Sequence, residues 1–261
     1  MLRAFLVPLL CAAFAAQAQD AGALRARHAT LQKQLAENPF GRPLHVDSNV
    51  DGGKHRGQIF AVVDQPYHVV APALARPPGW CEILTLQVNI KGCKPSDEAL
   101  TAFITRKPRD TVDSAHKVDF RFDRAATSGE YLRVRLSASS GPVGTRDYEI
   151  VLQAAPLDRK RTLIDLSYAY RLGSMARAAM SAYLAGAGGE KPGFTVEGGE
   201  RGVIERGAMR YYLAIEAYLT SPDNLERRLH HWYTATTRYP QLRERVGLDE
   251  YVAMKRREAA G

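Results

Sequence analysis

Residues 201–219 read RGVIERGAMRYYLAIEAYL, and this stretch has the clearest periodicity in the chain. Its apolar residues recur at alternating steps of four and three, which places them on one face of a helix. These residues are Ile204, Ala208, Tyr211, Ile215 and Tyr218. Pro222 follows soon after and is typical of a helix end. The pattern therefore predicts one long amphipathic helix, late in the chain, with a continuous buried face.

A series of short strands is predicted ahead of this helix. In one of them Val118, Phe120 and Phe122 alternate with charged residues. Such alternation is typical of an antiparallel sheet with one buried face and one solvated face. The candidate strands span residues 100–105, 117–123, 131–138, 148–154 and 163–172.

The segments on either side of this sheet have helix and hairpin signals. A hairpin is predicted from two extended stretches on either side of Asp51-Gly52-Gly53. A short helix is predicted from Pro66, with Asp64 or Gln65 near its N-cap, and Asp64 and His68 are interpreted as helix capping. Further helices are predicted over residues 24–37, 175–184, 225–236 and 248–258, the last two rich in Arg and largely surface-facing. Residues 186–202 are Gly-rich and are interpreted as a flexible connection.

The first eighteen residues have the layout of a secretory signal peptide. Arg3 is followed by a short apolar run and by the small-x-small pattern Ala16-Gln17-Ala18. The run is too short to span a bilayer. We therefore expect cleavage near Ala18 and a periplasmic or secreted protein.

Two cysteines remain after this cleavage, Cys81 and Cys93. An oxidising compartment favours a disulfide between them. One straight strand over this interval would separate the sulfurs by roughly 40 Å, whereas a disulfide needs Cα atoms within about 7 Å. If the bond forms, the segment turns back on itself. A short helix over residues 80–87, followed by a returning coil, is the favoured interpretation; a strand is the alternative.

The charge of the chain bears on its partners. The net charge at pH 7 is +8, and removal of Arg3 with the signal peptide lowers it by one. Outside the cytoplasm we expect no nucleic-acid partner, and a basic surface favours contact with an anionic membrane. The alternative is a solvated basic surface without a partner.

The order of these elements resembles the helix-grip fold of the START and Bet v 1-like superfamily, which includes polyketide-cyclase-like proteins. Three stretches carry the resemblance: residues 57–67 as a strand running into a helix, the meander over 117–172, and the helix over 201–219. The resemblance implies an α+β fold in which an antiparallel sheet wraps around a long C-terminal helix. Extra helices are expected at both ends of the chain. The predicted division is a signal peptide (1–18), a helix and hairpin lead-in (19–56), a START-like domain (57–221) and a C-terminal helical extension (222–261).

The resemblance also implies that a hydrophobic molecule or lipid binds in a cavity between the sheet and the long helix. Small Gly207 and Ala208 leave room beside the tyrosines, whose hydroxyl groups suit the few polar contacts of an apolar pocket. Plain core packing of the same stripe is the alternative. The expected ligand-binding residues are Phe120, Tyr168, Tyr170, Ile204, Arg206, Arg210, Tyr211 and Ile215.

Two of these residues carry a separate hypothesis. Arg206 and Arg210 are like charges four residues apart, which is unfavourable unless an anion lies between them. Asp165 or a ligand carboxylate or phosphate is the expected anion. An internal salt bridge or a solvated basic face is the alternative.

Motifs for catalysis are missing from the sequence, and neither a metal site nor a cofactor is expected. His230 and His231 are adjacent on a predicted helix, so their side chains diverge and do not form a metal-binding face. The favoured function is a noncatalytic carrier. An enzyme of the cyclase, dehydratase or hydrolase type, using Asp165, Tyr168, Tyr170 or an Arg of the long helix, is the first alternative. A structural or interaction protein, with its partner on the Arg-rich tail, is the second.

Overall fold

The strands of this protein form a single antiparallel sheet, and helices pack on both of its faces. A computed structural model describes residues 8–127, 129–186, 188–243 and 246–260, with only the backbone of residues 8–19, 125–127 and 260. The strands are β1 (Leu44–Asp51), β2 (Lys54–Val63), β3 (Ile90–Pro95), β4 (Ala99–Ile104), β5 (His116–Thr127), β6 (Leu132–Ser140), β7 (Thr145–Pro156) and β8 (Thr162–Leu172). The helices are α1 (Pro8–Ala36), α2 (Tyr67–Leu74), α3 (Pro77–Leu84), α4 (Ser174–Ala185), α5 (Gly199–Thr220), α6 (Leu225–Thr237) and α7 (Leu248–Ala260).

The sheet has the strand order β1-β2-β8-β7-β6-β5-β4-β3, and each pair of neighbours is antiparallel. Phe120 and Phe122 are buried on its inner face, whereas Asp119 and Arg121 between them are exposed. The period of two that predicted these strands is thus the period of burial. All five predicted strands and the predicted hairpin are confirmed.

The long helix α5 crosses the inner face of the sheet and packs closest to β2. A Cβ atom added to Gly57 of β2 would lie 2.9 Å from the carbonyl oxygen of Ile204, so a glycine is needed for this approach. Ile204, Ala208 and Ile215 are fully buried, as their spacing predicted. A sheet wrapped around a long helix is the helix-grip α+β fold that the sequence pattern predicts.

The outer face of the sheet is covered in part by α1. Ala21, Leu24 and Leu35 are buried there against a second apolar cluster. Arg27 of α1 donates to Asp165 of β8 over 2.6 Å, and Gln58 donates to the same carboxylate over 2.6 Å. The expectation that Asp165 lies between Arg206 and Arg210 is therefore wrong, because Asp165 points away from α5 towards α1.

The segment from Leu225 onward packs against the rest of the fold; we call α6, α7 and the residues between them the C-terminal layer. Trp232 and Tyr251 are fully buried, with ring centroids 5.3 Å apart, and both belong to the main core. The expectation that these helices are largely surface-facing is wrong, because each contributes an apolar stripe to the core. The many arginines of α6 and α7 made the apolar stripe of each helix difficult to recognise in the sequence.

Buried cations lie where the C-terminal layer meets β3 and α3. Lys91 of β3 and Lys255 of α7 both lie within 3 Å of the carboxylate of Glu258, at 2.9 and 2.8 Å. Arg228 of α6 is paired with Glu82 of α3. Each of these cations is at most 4% exposed. Burial of this kind requires a partner for every charge.

Cys81 and Cys93 form a disulfide, with their Cα atoms 5.2 Å apart. Cys81 lies in α3, and the chain reverses after that helix, as the bond requires. The returning segment was expected to be coil, but it is strand β3, because its residues from Ile90 pair with β4. The local periodicity suited both a helix and a strand, and both are present in succession.

The structure contradicts one prediction near the start of α2 and leaves another, the signal peptide, untested. The N-cap of α2 is Pro66, and no side chain caps this helix, so the capping interpretation of Asp64 is wrong. Of the predicted signal peptide, residues 1–7 lie outside the described residues, and for the remainder only helical backbone is described. The signal peptide stays a prediction. Within the described part of the chain, no helix is both long and apolar enough to cross a membrane.

Candidate functional site

Five aromatic side chains meet between the inner face of the sheet and the N-terminal half of α5; we call the space that they border the aromatic recess. Its residues are Phe120 of β5, Tyr148 of β7, Tyr168 and Tyr170 of β8, and Tyr211 of α5. The ring centroids of Tyr168 and Tyr211 are 4.8 Å apart, and those of Tyr148 and Tyr170 are 5.6 Å apart. The sheet register explains the cluster, because Ile150 and Tyr168 are paired across β7 and β8, so Tyr148 and Tyr170 are near neighbours.

Three of these tyrosines lie inside the fold and still have accessible surface. Tyr148, Tyr168 and Tyr211 are half-buried, not fully buried. Yet burial raises the pKa of Tyr168 well above its usual value, and it raises the pKa of Tyr211 and of Tyr148 as well. A side chain that is surrounded by protein and remains accessible lines an internal recess. Part of each ring is therefore open to contact with another molecule.

The space arises from a small residue on α5. A Cβ atom added to Gly207 would lie 3.1 Å from a ring carbon of Tyr168. Any larger side chain at this position would displace the ring or occupy the recess. Gly207 weakens the helix locally, since glycine has a low helix propensity, and here it sets the distance between helix and sheet.

His55 and Glu200 close one end of the recess. His55 of β2 is 1% exposed and stacks on Tyr170, with ring centroids 5.2 Å apart and planes 4° from parallel. Its Nε2 atom is 2.8 Å from a carboxylate oxygen of Glu200, in the first turn of α5. Its Nδ1 atom is buried and has no hydrogen-bond partner among the described residues. The pair joins the start of α5 to the sheet.

Glu205 and Arg206 of α5 hold the segment that precedes the helix. Glu205 is fully buried and accepts hydrogen bonds from Ser48 (2.6 Å) and from the amides of Phe194 (2.6 Å) and Thr195 (2.9 Å). Burial alone would raise the pKa of Glu205, but these hydrogen bonds give a net lowering, so the group is a carboxylate. The two amides, together with the hydroxyl group of Thr195, which also donates to this carboxylate, fix the loop onto the helix.

Arg206 makes the second attachment. Its Nη1 donates to the carbonyl oxygens of Lys191 (2.7 Å) and Pro192 (2.9 Å), and its side chain is 4% exposed. Burial lowers the pKa of Arg206. The Gly-rich stretch before α5 was interpreted as a flexible connection, and that is wrong, because Glu205 and Arg206 both fasten it.

The structure brings together five of the eight residues predicted to bind a ligand. Phe120, Tyr168, Tyr170 and Tyr211 border the recess, and Ile204 packs against Tyr170 at its end. Ile215 belongs to the main core, further along α5. Arg206 is engaged by the loop, and Arg210 donates to the carbonyl oxygen of Leu242 at 3.4 Å. Their role as anchors for an anionic headgroup stays a prediction without support from their geometry.

The sequence analysis missed Tyr148, His55 and Glu200. Tyr148 alternates with Ile150 and Leu152 in a strand that was predicted, so its inward direction was available from the period of two. His55 was missed because the strand was expected to begin at Gly57, whereas β2 begins at Lys54. Glu200 lies just before the predicted helix start and had no local signal.

Asp165, the acid of the enzyme alternative, lies outside the recess. Burial raises the pKa of Asp165, an effect that the nearby Arg27 opposes. The carboxylate lies on the outer face beneath α1, whereas Tyr168 and Tyr170 of the same strand point to the inner face. Asp165 and these tyrosines are therefore separated by the sheet and do not act on one bound molecule.

Comparison with solved structures finds partial matches at low sequence identity. A conserved protein from Geobacillus kaustophilus is 12% identical, with a TM-score of 0.41 over 64% of this chain and 95% of that one. A START superfamily protein from Mycobacterium smegmatis is 12% identical, with a TM-score of 0.35 over 51% of this chain and 92% of that one. Norcoclaurine synthase from Thalictrum flavum, in complex with dopamine and hydroxybenzaldehyde, is 12% identical, with a TM-score of 0.36 over 49% of this chain and 76% of that one.

No protein-family model matches the sequence, and no curated protein matches it either. The assignment of fold follows from the sheet order, the antiparallel pairing and the position of α5 described above. The chain thus has the helix-grip arrangement of an antiparallel sheet around a long helix, as its sequence pattern predicted.

Proposed function

We propose that this protein is a noncatalytic carrier that binds a hydrophobic or amphipathic small molecule in the aromatic recess. The observation that carries the proposal is the set of three half-buried tyrosines inside the fold, Tyr148, Tyr168 and Tyr211. Aromatic faces remove apolar surface of a ligand from water at about 25 cal/mol per Å². The hydroxyl groups supply the few directional contacts that orient such a ligand.

We further propose that the carrier is exported and acts in the periplasm or outside the cell. The disulfide between Cys81 and Cys93 suits an oxidising compartment. Cleavage near Ala18 would leave Ala21 and Leu24 in place, and both are buried in the apolar cluster between α1 and the sheet. The net charge left after cleavage, one below the +8 of the full chain, favours contact with anionic membranes, where an amphipathic ligand is collected or delivered.

The first experiment identifies what the protein carries. The protein is purified from the periplasm of an expressing bacterium, and its mass is compared under native and denaturing conditions. We expect an additional mass in the native state, which organic extraction then identifies as a lipid-like or aromatic molecule. A protein without bound molecule that also fails to bind the fluorescent fatty acid cis-parinaric acid would overturn the carrier proposal.

A matched pair of variants locates the binding site. Gly207→Leu places a side chain against Tyr168 and is expected to weaken cis-parinaric acid binding at least tenfold. Gly22→Leu makes the same change in α1, where an added Cβ meets nothing within 4 Å, and is expected to leave binding within twofold. If Gly207→Leu fails to fold by circular dichroism, Gly207→Ala replaces it. Equal binding by both folded variants would place the ligand elsewhere.

A further inference from the structure

A second chamber lies at the opposite end of α5 from the aromatic recess; we call it the polar cleft. Its volume is about 640 Å³, and it is bordered by the end of β2, the C-terminal end of α5 and one face of α6. The residues at its floor and walls are largely polar or charged, in contrast to the tyrosines of the recess. Its position and its chemistry are therefore independent of the proposed carrier site.

The floor of the polar cleft is a buried charge network. Arg42 is paired with Glu216 of α5, and it also donates to the hydroxyl group of Tyr212 over 2.9 Å. Tyr212 is fully buried and donates to Glu216 over 2.8 Å. The charges of Arg42 and Glu216 therefore cancel, and the network gives the cleft a rigid polar floor. An apolar floor of the same volume would be no less stable, since buried ion pairs carry a large desolvation penalty.

One wall of the cleft presents an acceptor that the protein itself does not use. Asp64 is exposed, and its carboxylate has no ion pair or hydrogen bond within the described part of the chain. Beside it, the Oε1 atom of Gln65 is buried and has no partner among the described residues, although its Nε2 atom donates to Leu219. The Oε1 atom of Gln65 is enclosed by protein, so Asp64 is the acceptor that this wall presents to the cleft.

The opposite wall, formed by α6, presents donors. His231 and Arg238 are exposed and border the cleft. They are seven residues apart, close to two helical turns, and so lie on the same side of α6. The guanidinium group of Arg238 has no ion pair or hydrogen bond with any described residue. An unpaired Arg that borders a cleft suits a carboxylate or a phosphate.

We infer that the polar cleft binds a small zwitterion, with its ammonium group against Asp64 and its anionic group against Arg238 and His231. The charges of the cleft are balanced, so a dianion would meet Asp64 and Glu216, and a simple cation would meet Arg42 and Arg238. A ligand with one charge of each sign satisfies both walls. The basic turn containing Arg159 and Lys160 lies on the far side of Asp64 and borders a neighbouring pocket.

Two sources supply this chemistry, a free amino acid-like molecule and a phospholipid headgroup with an ammonium group. Binding is measured by calorimetry with a series of ω-amino carboxylates from glycine to 8-aminooctanoate, in which only the separation of the two charges changes. Matched alkylamines and alkyl carboxylates carry one charge each. Glycerophosphoethanolamine, and vesicles that contain phosphatidylethanolamine, represent the headgroup. We expect one range of chain lengths, or glycerophosphoethanolamine, to bind at least tenfold more tightly than either single-charge control.

Two variants test the assignment of the walls. Arg238→Gln and Asp64→Asn are each expected to weaken zwitterion binding at least tenfold. The controls Arg227→Gln, on an exposed position of α6, and Asp97→Asn, on the distant β3–β4 turn, are expected to change it less than twofold. Binding of cis-parinaric acid in the recess is expected to be the same in all four variants, so failure here is distinguishable from failure of the carrier proposal.

Three results would overturn the inference. An alkyl carboxylate that binds as tightly as the zwitterions would indicate an anion site that draws on Arg159 and Lys160. Equal binding by the variants and the controls would move the ligand to another surface, and the absence of binding by every probe would leave the cleft without a ligand of this class. Tight vesicle binding together with glycerophosphoethanolamine binding identifies the headgroup source, and binding of ω-amino carboxylates alone identifies the soluble source.

Discussion

The aromatic recess and the C-terminal layer bury polar groups in opposite ways. The recess contains neutral tyrosine hydroxyl groups, and three of its rings stay accessible. The contacts of the C-terminal layer with β3 and α3 bury Lys91, Lys255 and Arg228, each held by a carboxylate. The difference indicates that the recess leaves aromatic surface open to a molecule, whereas the buried cations hold the C-terminal layer to the rest of the fold. The stability of the protein is therefore expected to respond to pH in opposite directions through the two regions. The loss of one polar atom is expected to cost more stability in one region than in the other.

The largest expected effect follows from Glu258, which serves two buried lysines at once. Glu258→Gln leaves Lys91 and Lys255 without a counter-charge, and we expect it to lower the free energy of unfolding by about 3 kcal/mol. Urea unfolding followed by circular dichroism measures this. Glu98→Gln, at an exposed position, is the matched control and is expected to be neutral. A loss below about 1 kcal/mol in Glu258→Gln would show that these charges are solvated, and would remove the contrast with the recess.

The next effect is a dependence of stability on pH. Burial lowers the pKa of Lys255 from 10.5 to about 8. Between these two values the unfolded lysine holds a proton that the folded lysine has released, so stability rises with pH. We expect a rise of roughly 2 kcal/mol from about pH 7.5 to about pH 9.5. Urea unfolding over this range measures the slope, and Lys255→Met is expected to flatten it. An unchanged slope in that variant would assign the rise to another group.

The recess responds in the other direction. Burial raises the pKa of Tyr168, Tyr170 and Tyr211 above their usual value near 10. Above that value the unfolded tyrosines lose protons that the folded ones keep, so stability falls with increasing pH. The two regions together predict a maximum of stability near the point where the lysine effect ends and the tyrosine effect begins.

The smallest expected effect compares the same substitution in both regions. Tyr251→Phe removes a hydroxyl group that donates to the carbonyl oxygen of Leu86 over 2.8 Å in the dry core, and we expect a loss of roughly 1–2 kcal/mol. Tyr168→Phe removes a hydroxyl group that is hydrogen-bonded to Tyr211 in the recess, and we expect a loss below about 1 kcal/mol because both side chains keep accessible surface. Equal losses in urea unfolding would mean that the recess is as tightly closed as the core.

The periodic parts of the fold could be predicted from the sequence. Alternation in β5 and the four-and-three spacing in α5 are local patterns, because each residue repeats its direction after two or about 3.6 positions. The inward-facing residues Phe120, Tyr168 and Tyr211 follow from those patterns alone. The recess was therefore accessible to sequence reasoning wherever the element boundaries were right.

The polar contacts could not be predicted in this way. Glu216 and Tyr212 lie on the side of α5 that has no apolar stripe, and they are covered through Arg42, which is 174 positions from Glu216. Arg206 is held by backbone carbonyl oxygens, which every residue has and no sequence pattern marks. Asp165 was assigned to the wrong partner because its true partner, Arg27, belongs to a helix on the other face of the sheet.

The disulfide described above also determines how the last helix is seated. The segment closed by Cys81 and Cys93 contains Leu86 and Ile90, whose carbonyl oxygens accept from Tyr251 and Lys255 of α7, each over 2.8 Å. Those two carbonyl groups belong to a covalent ring, and each lies 165 positions before the α7 residue that donates to it. Opening the ring frees the acceptors before it disturbs the sheet. A thiol reductant should therefore expose the final residues to a protease first, while the strands around α5 stay protected.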